Sequence, residues 1–427
     1  MSQVKPAKHP SRRHTDVFTI SGGGLGPVPA CELSIRPLTV FVGAQGTGKS
    51  LVAQTLYAFE ELPYLMGAAS AERGAQRRSS NELFGSILDR LRSTERRFGT
   101  FANRSASVTW QRAPLSGEGP AADEWPRGAA GKLGFRASSA TGQVTVTKPM
   151  RQFLDALRKG ATKGEASRRP APLHHALFFP TERMTIAQLR SAMSAGVLAL
   201  PSTFWLFTHW MDDHAAPAVA RWRRGEPDTA EGKLVERIGM EALRGRARKH
   251  GEQWKWQFQG GRGRRQLDLD MASSGQRANW SLPYLASALF SLRGTGDIAD
   301  SLTVFVEEPE IHLHPFAQRK MVEILALLVR SGFRVVVTTH SITVLYALNN
   351  LVQAGRLPDD DRAPELPPVG LRLAAEDVSV YAFAEGKAPR QLMDVETAFI
   401  SEAELGRVDE ELSAEMNVVA AHLDRAE

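Results

Sequence analysis

The sequence has almost no cysteine and no long apolar segment. Cys31 is the single cysteine among the 427 residues, so no disulfide can form within the chain. A helix that crosses a bilayer needs roughly 20 consecutive apolar residues, and the most hydrophobic stretch, residues 197–211, contains Pro201 and His209. Residues 1–10 are polar and lysine-bearing, without the apolar core of a secretory signal. We therefore expect a cytoplasmic protein with no membrane partner.

The charge balance is only mildly basic. The chain carries 53 Lys and Arg residues against 47 Asp and Glu residues, a formal net charge of +6. Such an excess permits nucleic-acid binding through counterion release, but proteins that bind no nucleic acid often carry as much. With 42% hydrophobic and 23% charged residues, the composition is that of a globular protein of two or three domains. Charge alone identifies no partner.

Two parts of the chain show strands that alternate with helices. Near the N-terminus, residues 16–35 predict a β-hairpin with a glycine-rich turn, and a β-branched run over 38–42 precedes a helical pattern over 51–62. Much later, the apolar runs 302–306 and 335–337 are separated by a helical pattern. Buried strands joined by a helix imply a right-handed crossover and a parallel sheet. We predict an α/β fold with a largely parallel sheet flanked by helices.

The loop between the first apolar strand and its helix matches the phosphate-binding pattern Gly-x-x-x-x-Gly-Lys-Ser. Its residues are Gly43, Ala44, Gln45, Gly46, Thr47, Gly48, Lys49 and Ser50. Glycines let consecutive backbone N–H groups face an anion, and the helix N-terminus adds its dipole. The lysine of such a loop meets the β- and γ-phosphates, and the serine hydroxyl is a Mg²⁺ ligand. We predict that this P-loop binds ATP with Mg²⁺.

Acidic residues and a histidine follow the two later strands. Glu307 and Glu308 stand directly after the run 302–306, where a P-loop enzyme needs carboxylates. We assign Glu307 to the Mg²⁺ shell, directly or through water, and Glu308 to polarising the attacking water. His340 follows the next strand, where it could contact the γ-phosphate. The pattern predicts an ATPase in which Glu308 and His340 are catalytic.

These motifs, with residues 272–277 and 307–315, resemble ATP-binding-cassette (ABC) ATPases of the SMC/RecF/OLD-like branch, which are AAA-type ATPases. The resemblance covers residues 16–62 and 267–348. It implies a P-loop NTPase with an ABC-type head, interrupted by a large, mainly helical insertion. It also implies a homo-oligomer, at least a dimer, because the family completes each nucleotide site with a second subunit.

The resemblance assigns further roles. Ser274, Gly275 and Gln276 look like the signature loop that contacts the γ-phosphate held by the second subunit. Residues 312–315 look like the D-loop at the dimer seam, and His340 looks like the switch histidine. The signature reads Ala-Ser-Ser-Gly-Gln where the family has Leu-Ser-Gly-Gly-Gln, and Glu307 replaces the usual aspartate. Residues 179–183 are similar to a Pro-x-Glu-Arg segment of OLD-like and phage-defence ATPases.

The motifs divide the chain into four segments. They are an N-terminal part of the head (1–66), an insertion of helical or mixed structure (67–263), a C-terminal part of the head (264–350), and a strand pair with an acidic helix (351–427). The insertion is a candidate sensor or partner-binding region. Its arginine clusters, with Trp254 and Trp256 nearby, could bind a phosphate backbone and stack on bases, which leaves direct DNA binding open.

Three biological roles fit these features. The first is an ATP-operated switch that controls a separate effector in anti-phage defence, as in two-gene systems such as PARIS. Its trigger would be a phage protein and its effector a Toprim-type nuclease, since neither 268–270 nor 359–361 forms a convincing Asp-x-Asp strand end in this sequence. The alternatives are a RecF/SMC-like repair ATPase that binds DNA directly and, less favoured by the long insertion, an ATPase subunit of a transporter.

Overall fold

The fold is taken from a computed structural model, which describes residues 15–70, 77–91, 98–112, 132–163, 174–185, 202–223, 229–251, 253–260, 266–293, 298–361, 363–401 and 414–416. Its strands are β1 (Asp16–Gly22), β2 (Cys31–Ile35), β3 (Leu38–Gly43), β4 (Ser105–Gln111), β5 (Lys132–Ser138), β6 (Val144–Val146), β7 (His174–Phe179), β8 (Gly245–His250), β9 (Gln253–Phe258), β10 (Gln266–Asp268), β11 (Ile298–Glu307), β12 (Arg334–Thr339), β13 (Val378–Phe383), β14 (Arg390–Gln391), β15 (Met393–Asp394) and β16 (Phe399–Ile400). Its α-helices are α1 (Lys49–Glu60), α2 (Leu62–Ser70), α3 (Ser80–Leu91), α4 (Lys148–Lys163), α5 (Ser202–His209), α6 (Ala216–Arg223), α7 (Ala230–Leu243), α8 (Ser274–Asn279), α9 (Ser281–Leu292), α10 (Pro315–Arg330) and α11 (Ile342–Ala354).

The central sheet has the strand order β14-β13-β3-β12-β11-β7. Except for the antiparallel edge strand β14, its neighbours pair in parallel. Every residue of β7 and β12 is buried, because helices cover both faces of a parallel sheet. The α/β prediction and the parallel crossover from β11 through α10 to β12 are confirmed.

A second sheet has the order β2-β1-β4-β5-β6 and is antiparallel. The predicted hairpin is its β1–β2 pair, which is confirmed. Strands β4 to β6 come from the range 67–263, and so does β7 of the central sheet. That range therefore contributes to both sheets, and its strands β8 and β9 pair with β10 in a third, antiparallel sheet.

The edge strand β7 is attached to the end of the P-loop helix by a buried carboxylate. Glu61, directly after α1, accepts hydrogen bonds from the backbone N–H groups of His175 and Ala176 and contacts Nδ1 of His174. Burial, the largest effect, raises the pKa of Glu61, while the hydrogen bonds lower it. This carboxylate therefore fixes β7 against α1.

The helices that follow the strands begin at good caps. His314 precedes α10 and accepts from the N–H of Phe316, with Pro315 in the first turn. Ser341 precedes α11 and accepts from the N–H of Val344. The cap at Ser341 begins α11 shortly after β12 ends at Thr339, so the chain turns from strand to helix at this edge of the sheet.

The C-terminal segment packs on the central sheet. Its predicted strand pair is β13, parallel to β3, and β14, antiparallel to β13. Asn349 exchanges two hydrogen bonds with the backbone of Ile400, at 2.7 and 2.9 Å, and so ties the segment to α11. The predicted acidic helix from residue 401 onward lies outside the described residues, apart from a helical turn at 414–416. Of the helices that are described, none is long and apolar enough to cross a membrane.

A buried ion cluster joins the two main sheets to α1. Arg334, the first residue of β12, lies 2.6 Å from Asp16 of β1 and 3.3 Å from Glu60 of α1. Arg112 binds the other oxygen of Glu60 at 2.9 Å. Burial lowers the pKa of Arg334, but the two carboxylates outweigh it and raise the pKa overall. The buried charges of the cluster therefore compensate one another, and the removal of one member leaves its partners less well compensated.

We expect Arg334→Met to lower the free energy of unfolding by about 3–5 kcal/mol, because it takes from the buried carboxylates of Asp16 and Glu60 the cation that both of them contact. Urea denaturation of the purified protein measures this. The control is Arg319→Met, which removes an ion pair to Glu323 whose arginine is 60% exposed and should cost less than about 1 kcal/mol. Equal losses in the two variants would contradict the prediction.

Candidate functional site

The P-loop connects β3 to α1 in a conformation that two of its glycines make possible. Gly43 has φ 143°, and a Cβ there would lie 2.1 Å from the carbonyl oxygen of Phe383 in β13. Gly48 has φ 97°, and a Cβ there would lie 2.3 Å from a methyl group of Val28. Neighbouring chain segments thus press on the loop and hold its backbone. Ala44, Gln45 and Gly46 are exposed at its tip.

Lys49 lies inside this loop. Its Nζ donates to the carbonyl oxygens of Gly43 and Ala44 at 2.8 and 2.7 Å, and Thr47 Oγ1 donates to Ala44 at 2.8 Å. Burial lowers the pKa of Lys49 to about 8, while the glutamates at the end of β11 act to raise it. The ammonium group is therefore positioned next to acidic side chains within a preformed anion loop.

Glu307, the last residue of β11, is buried beside the P-loop helix. Its Oε2 accepts from the N–H and the hydroxyl of Thr181. Burial raises the pKa of Glu307 to about 7, and hydrogen bonds from Ser50 and Thr181 oppose that effect. Its Oε1 is buried and has no hydrogen-bond partner among the described residues.

This donor set fits Mg²⁺. Mg²⁺ at phosphate sites is held by one or two carboxylates together with water and substrate phosphates, and Ser50 with the unpartnered Oε1 of Glu307 matches that need. Where the structure describes the chain, no group of three or more His, Cys, Asp or Glu side chains gathers as a metal site. Because Mg²⁺ needs about six ligands, a Mg²⁺ ion held by Ser50 and Glu307 would take its other oxygen ligands from water and nucleotide phosphates.

Glu308 and His340 form a pair at the ends of the neighbouring strands β11 and β12. The two side chains approach to 3.2 Å, between Oε1 and Nε2, and each is about a quarter exposed. Glu308 has φ 46°, a left-handed conformation that is uncommon outside glycine. Its N–H donates to the carbonyl of Thr338 at 2.9 Å, which continues the β11–β12 pairing by one residue. The pair combines a partly exposed carboxylate with an imidazole, and the carboxylate acts on the charge of Lys49.

Glu310 is a further acidic residue of this edge, and no role was predicted for it. Its Oε1 accepts from Thr339 Oγ1 and from the N–H of His340, both at 2.7 Å. Its Oε2 is buried and has no hydrogen-bond partner in the described parts of the chain. Burial raises its pKa. Glu310 thus holds the backbone on which His340 stands, and the spacing Glu-Pro-Glu after a strand was its only sequence signal.

The signature-like residues lie at the start of α8. Ser273 caps that helix in a capping box with Gln276. The side chain of Gln276 also donates to the carbonyl of Leu243 at 2.9 Å, so it is engaged within its own chain. A Cβ on Gly275 would lie 2.7 Å from the carbonyl oxygen of His312, whereas Ser274 is exposed. The signature-like loop therefore packs against the segment 312–315 and leaves its serine free to meet another molecule.

Of the residues singled out in the sequence, the structure brings the P-loop, Glu307, Glu308 and His340 to one edge of the central sheet. The signature-like helix is connected to that edge through Arg183, which follows β7, and through Asn279. Arg183 belongs to the segment 179–183, which resembles part of the family, but no function was predicted for it. Thr181 and Asn279 were likewise missed, because their partners come from distant parts of the chain.

The tryptophans suggested for base stacking are core residues. Trp254 is 7% exposed and Trp256 is fully buried, so the suggestion that they stack on bases is wrong. On the same sheet, Lys249 pairs with Asp212 and Lys255 pairs with Asp268. The basic clusters at 96–97 and 262–265 lie outside the described residues. The described part of the insertion thus offers a partly neutralised surface.

Comparisons with known proteins give a family and weak structural likenesses. Residues 38–345 match the family model described as "AAA domain, putative AbiEii toxin, Type IV TA system". No curated protein matches. Among solved structures, an SMC head bound to the C-winged helix domain of ScpA matches with 12% identity, 89% of this chain and 98% of that chain covered, and a TM-score of 0.41.

Two further solved structures match at a similar level. The SMC head domain from Thermotoga maritima has 11% identity and a TM-score of 0.38, with 90% of this chain and 99% of that chain covered. An SMC head with an extended coiled coil, bound to the C-terminal domain of ScpA derived from Pyrococcus furiosus, has 11% identity and a TM-score of 0.40, with 94% and 99% covered. All three TM-scores are below 0.5, so the family rests on the domain match.

We expect Lys49→Ala to weaken ATP binding by about 10- to 100-fold, since it removes a charged hydrogen-bond donor worth about 1.5–3 kcal/mol. Isothermal titration calorimetry with ATP measures the loss. Lys132→Ala, at an exposed position of β5, is the matched control and should bind as the wild type does. Unchanged ATP affinity in Lys49→Ala would contradict a role for this lysine in ATP binding.

Proposed function

From the premise that this chain belongs to the AAA domain family and is an ATP-hydrolysing enzyme, we propose that it is an ATP-operated switch that associates with a second copy of itself and controls a separate effector protein. The observation that carries the proposal is the convergence of Lys49, Glu307 and the Glu308–His340 pair at one sheet edge. These are the groups that phosphoryl transfer to water requires.

In the proposed reaction, the P-loop N–H groups and Lys49 hold the β- and γ-phosphates. Glu308 orients a water molecule for attack on the γ-phosphorus and accepts its proton, while the bond to the β-phosphate oxygen breaks and ADP leaves. His340 keeps Glu308 oriented and faces the γ-phosphate. Ser50 and Glu307 would hold Mg²⁺, which neutralises phosphate charge when it is bound.

We expect Glu308→Gln to keep ATP affinity within about threefold of wild type but to lower kcat by about 100-fold or more, because the amide cannot accept the water proton. A phosphate-release assay with ATP titration measures both quantities. Glu385→Gln, in an exposed turn, makes the same chemical change away from the site and should hydrolyse normally. Normal turnover in Glu308→Gln would refute the assignment.

We assign the association to the face that carries Ser274. Two large apolar side chains on this face are well exposed: Met271, just before the signature-like loop, at 74%, and Phe316, just after the segment 312–315, at 49%. Ser274 is exposed as well, in the loop that packs against the segment 312–315. The proposed occupant is a second copy, whose P-loop ATP would be covered by Ser274.

We expect ATP to convert Glu308→Gln from monomer to dimer, as this variant retains the nucleotide, and we expect the added Ser274→Arg change to prevent it. The large cation would block close approach of the serine to a phosphate, while binding to the P-loop stays within about threefold. Sedimentation velocity with and without ATP measures the mass. Ser139→Arg, at an exposed position of the β5–β6 turn, is the control in the same background. The same mass with and without ATP in every form would contradict dimerisation.

Control of a separate effector is supported by the positions of two groups of aspartates, at 268–270 and 359–361. Asp268 ends β10, a three-residue edge strand of an antiparallel sheet, and residues 359–361 lie in a loop, so neither group follows a strand of the parallel central sheet. The family description itself names a Type IV TA system. We therefore place the effector, such as a Toprim-type nuclease, on another polypeptide and the role in anti-phage defence.

The sensor in this proposal is the range 67–263, which would receive a phage protein as the trigger. Direct DNA binding in repair is the alternative, and the buried tryptophans and paired lysines of the β8–β10 sheet weigh against it. Gene neighbourhood separates the roles: an adjacent nuclease gene supports effector control, replication genes support repair, and a permease gene supports transport.

A further inference from the structure

Arg183 is one of the most deeply buried charged side chains described in the molecule, at 1% exposure. It stands in a short 3₁₀ turn, Thr181–Thr185, directly after β7. A buried cation is costly unless its surroundings compensate it. We therefore expect Arg183 to make contacts that an apolar side chain in the same position could not make.

All five N–H donors of its guanidinium are used. Nε donates to the carbonyl of Ala278, NH1 to the carbonyls of Pro180 and Glu307, and NH2 to the carbonyl of Glu308 and to Oδ1 of Asn279. The partners belong to three separate segments: the end of β7, the end of β11 and the end of α8. Since the guanidinium is planar and rigid, it fixes the three segments relative to one another.

Two of these contacts bear on the reaction. The hydrogen bond to the carbonyl of Glu308, at 2.7 Å, supports the left-handed backbone of that residue. Left-handed conformations of non-glycine residues persist only where their surroundings hold them. At the other side, Asn279 passes the connection on: its Nδ2 donates to the carbonyl of Ile311, at 2.7 Å, and to that of Gly275, at 3.2 Å.

We propose that Arg183 is a positioning residue that joins Glu308 to the signature-like helix α8, so that the state of the nucleotide site sets the position of Ser274. The inference rests on the proposed function of both groups. Burial lowers the pKa of Arg183 to about 10, with the nearby glutamates opposing, so the group stays charged at neutral pH. A lysine would keep the charge but has neither five donors nor a planar fork.

The test compares Arg183→Lys with Arg372→Lys. Arg372 is a matched control because it is also buried, at 4% exposure, and within the described part of the chain it donates to the main-chain carbonyls of Pro358, Asp361 and Pro367. Both variants should show similar losses of thermal stability. We expect ATP affinity within about threefold of wild type in both, but a kcat at least tenfold lower in Arg183→Lys alone.

Hydrogen–deuterium exchange gives a readout that does not depend on hydrolysis. In wild type and Arg372→Lys, ATP binding should change exchange in peptides covering both 43–50 and 272–280; in Arg183→Lys, only the P-loop peptide should respond. A response at 272–280 retained in Arg183→Lys would overturn the proposal, and so would a wild type that responds only at the P-loop. If ATP produced no dimer, even in Glu308→Gln, that result would instead count against the proposed function alone.

If Arg183→Lys does not fold, Asn279→Leu provides the same test. It removes only the Asn279 contacts to Arg183, Ile311 and Gly275 and leaves the guanidinium on the Glu307 and Glu308 carbonyls. We expect near-normal ATP affinity and loss of the exchange response at 272–280. A wild-type response in this variant would overturn the proposal.

Discussion

The parallel register of β3, β12 and β11 is the constraint on which the site depends. Val42 pairs with Thr339, and Glu307 pairs with Thr338, so the three strands end at one level. Because parallel strands present their carboxyl ends at the same edge, whatever follows each strand must meet the others. The P-loop, the glutamates and His340 converge for this reason, and a slip of one residue in either pairing would turn their side chains to the opposite face.

That edge brings together more charge than a protein interior tolerates without compensation. Lys49 and Arg183 lie among Glu307, Glu308 and Glu310, and burial shifts the pKa of each cation down and of Glu307 and Glu310 up. These four groups are thereby shifted toward their neutral forms. The nearby glutamates oppose the shift at the two cations, and hydrogen bonds oppose it at Glu307 and Glu310. Of the two cations, Lys49 lies within the P-loop, so it is the one that is placed to meet the charge of a bound polyanion.

The elements that the sequence predicted correctly are those with local patterns. The P-loop and α1 follow from glycine spacing and helical periodicity, and the Glu308–His340 edge follows from acids and a histidine that end apolar runs. The pairing of β4 to β6 with β1, and of β7 with β11, depends on contacts between distant segments, which local patterns do not encode. Arg183 was not recognised because its partners are mostly main-chain carbonyls, and every residue type has one. Trp254 and Trp256 were misjudged because a tryptophan beside arginines looks the same in sequence whether its strand turns it inward or outward.

The strand order has a consequence for how the protein is made. The P-loop is synthesised early, but its neighbours β11 and β12 come from residues beyond 297, and β13, which presses on Gly43, comes later still. Chains emerge from the ribosome N-terminus first, and nucleotide stabilises only a fold that can bind it. An incomplete chain therefore has the P-loop but lacks the carboxylates and the strand that flank it. ATP can stabilise the fold only after β13 has been translated. Nucleotide binding thus adds its stabilisation late, after the central sheet is complete.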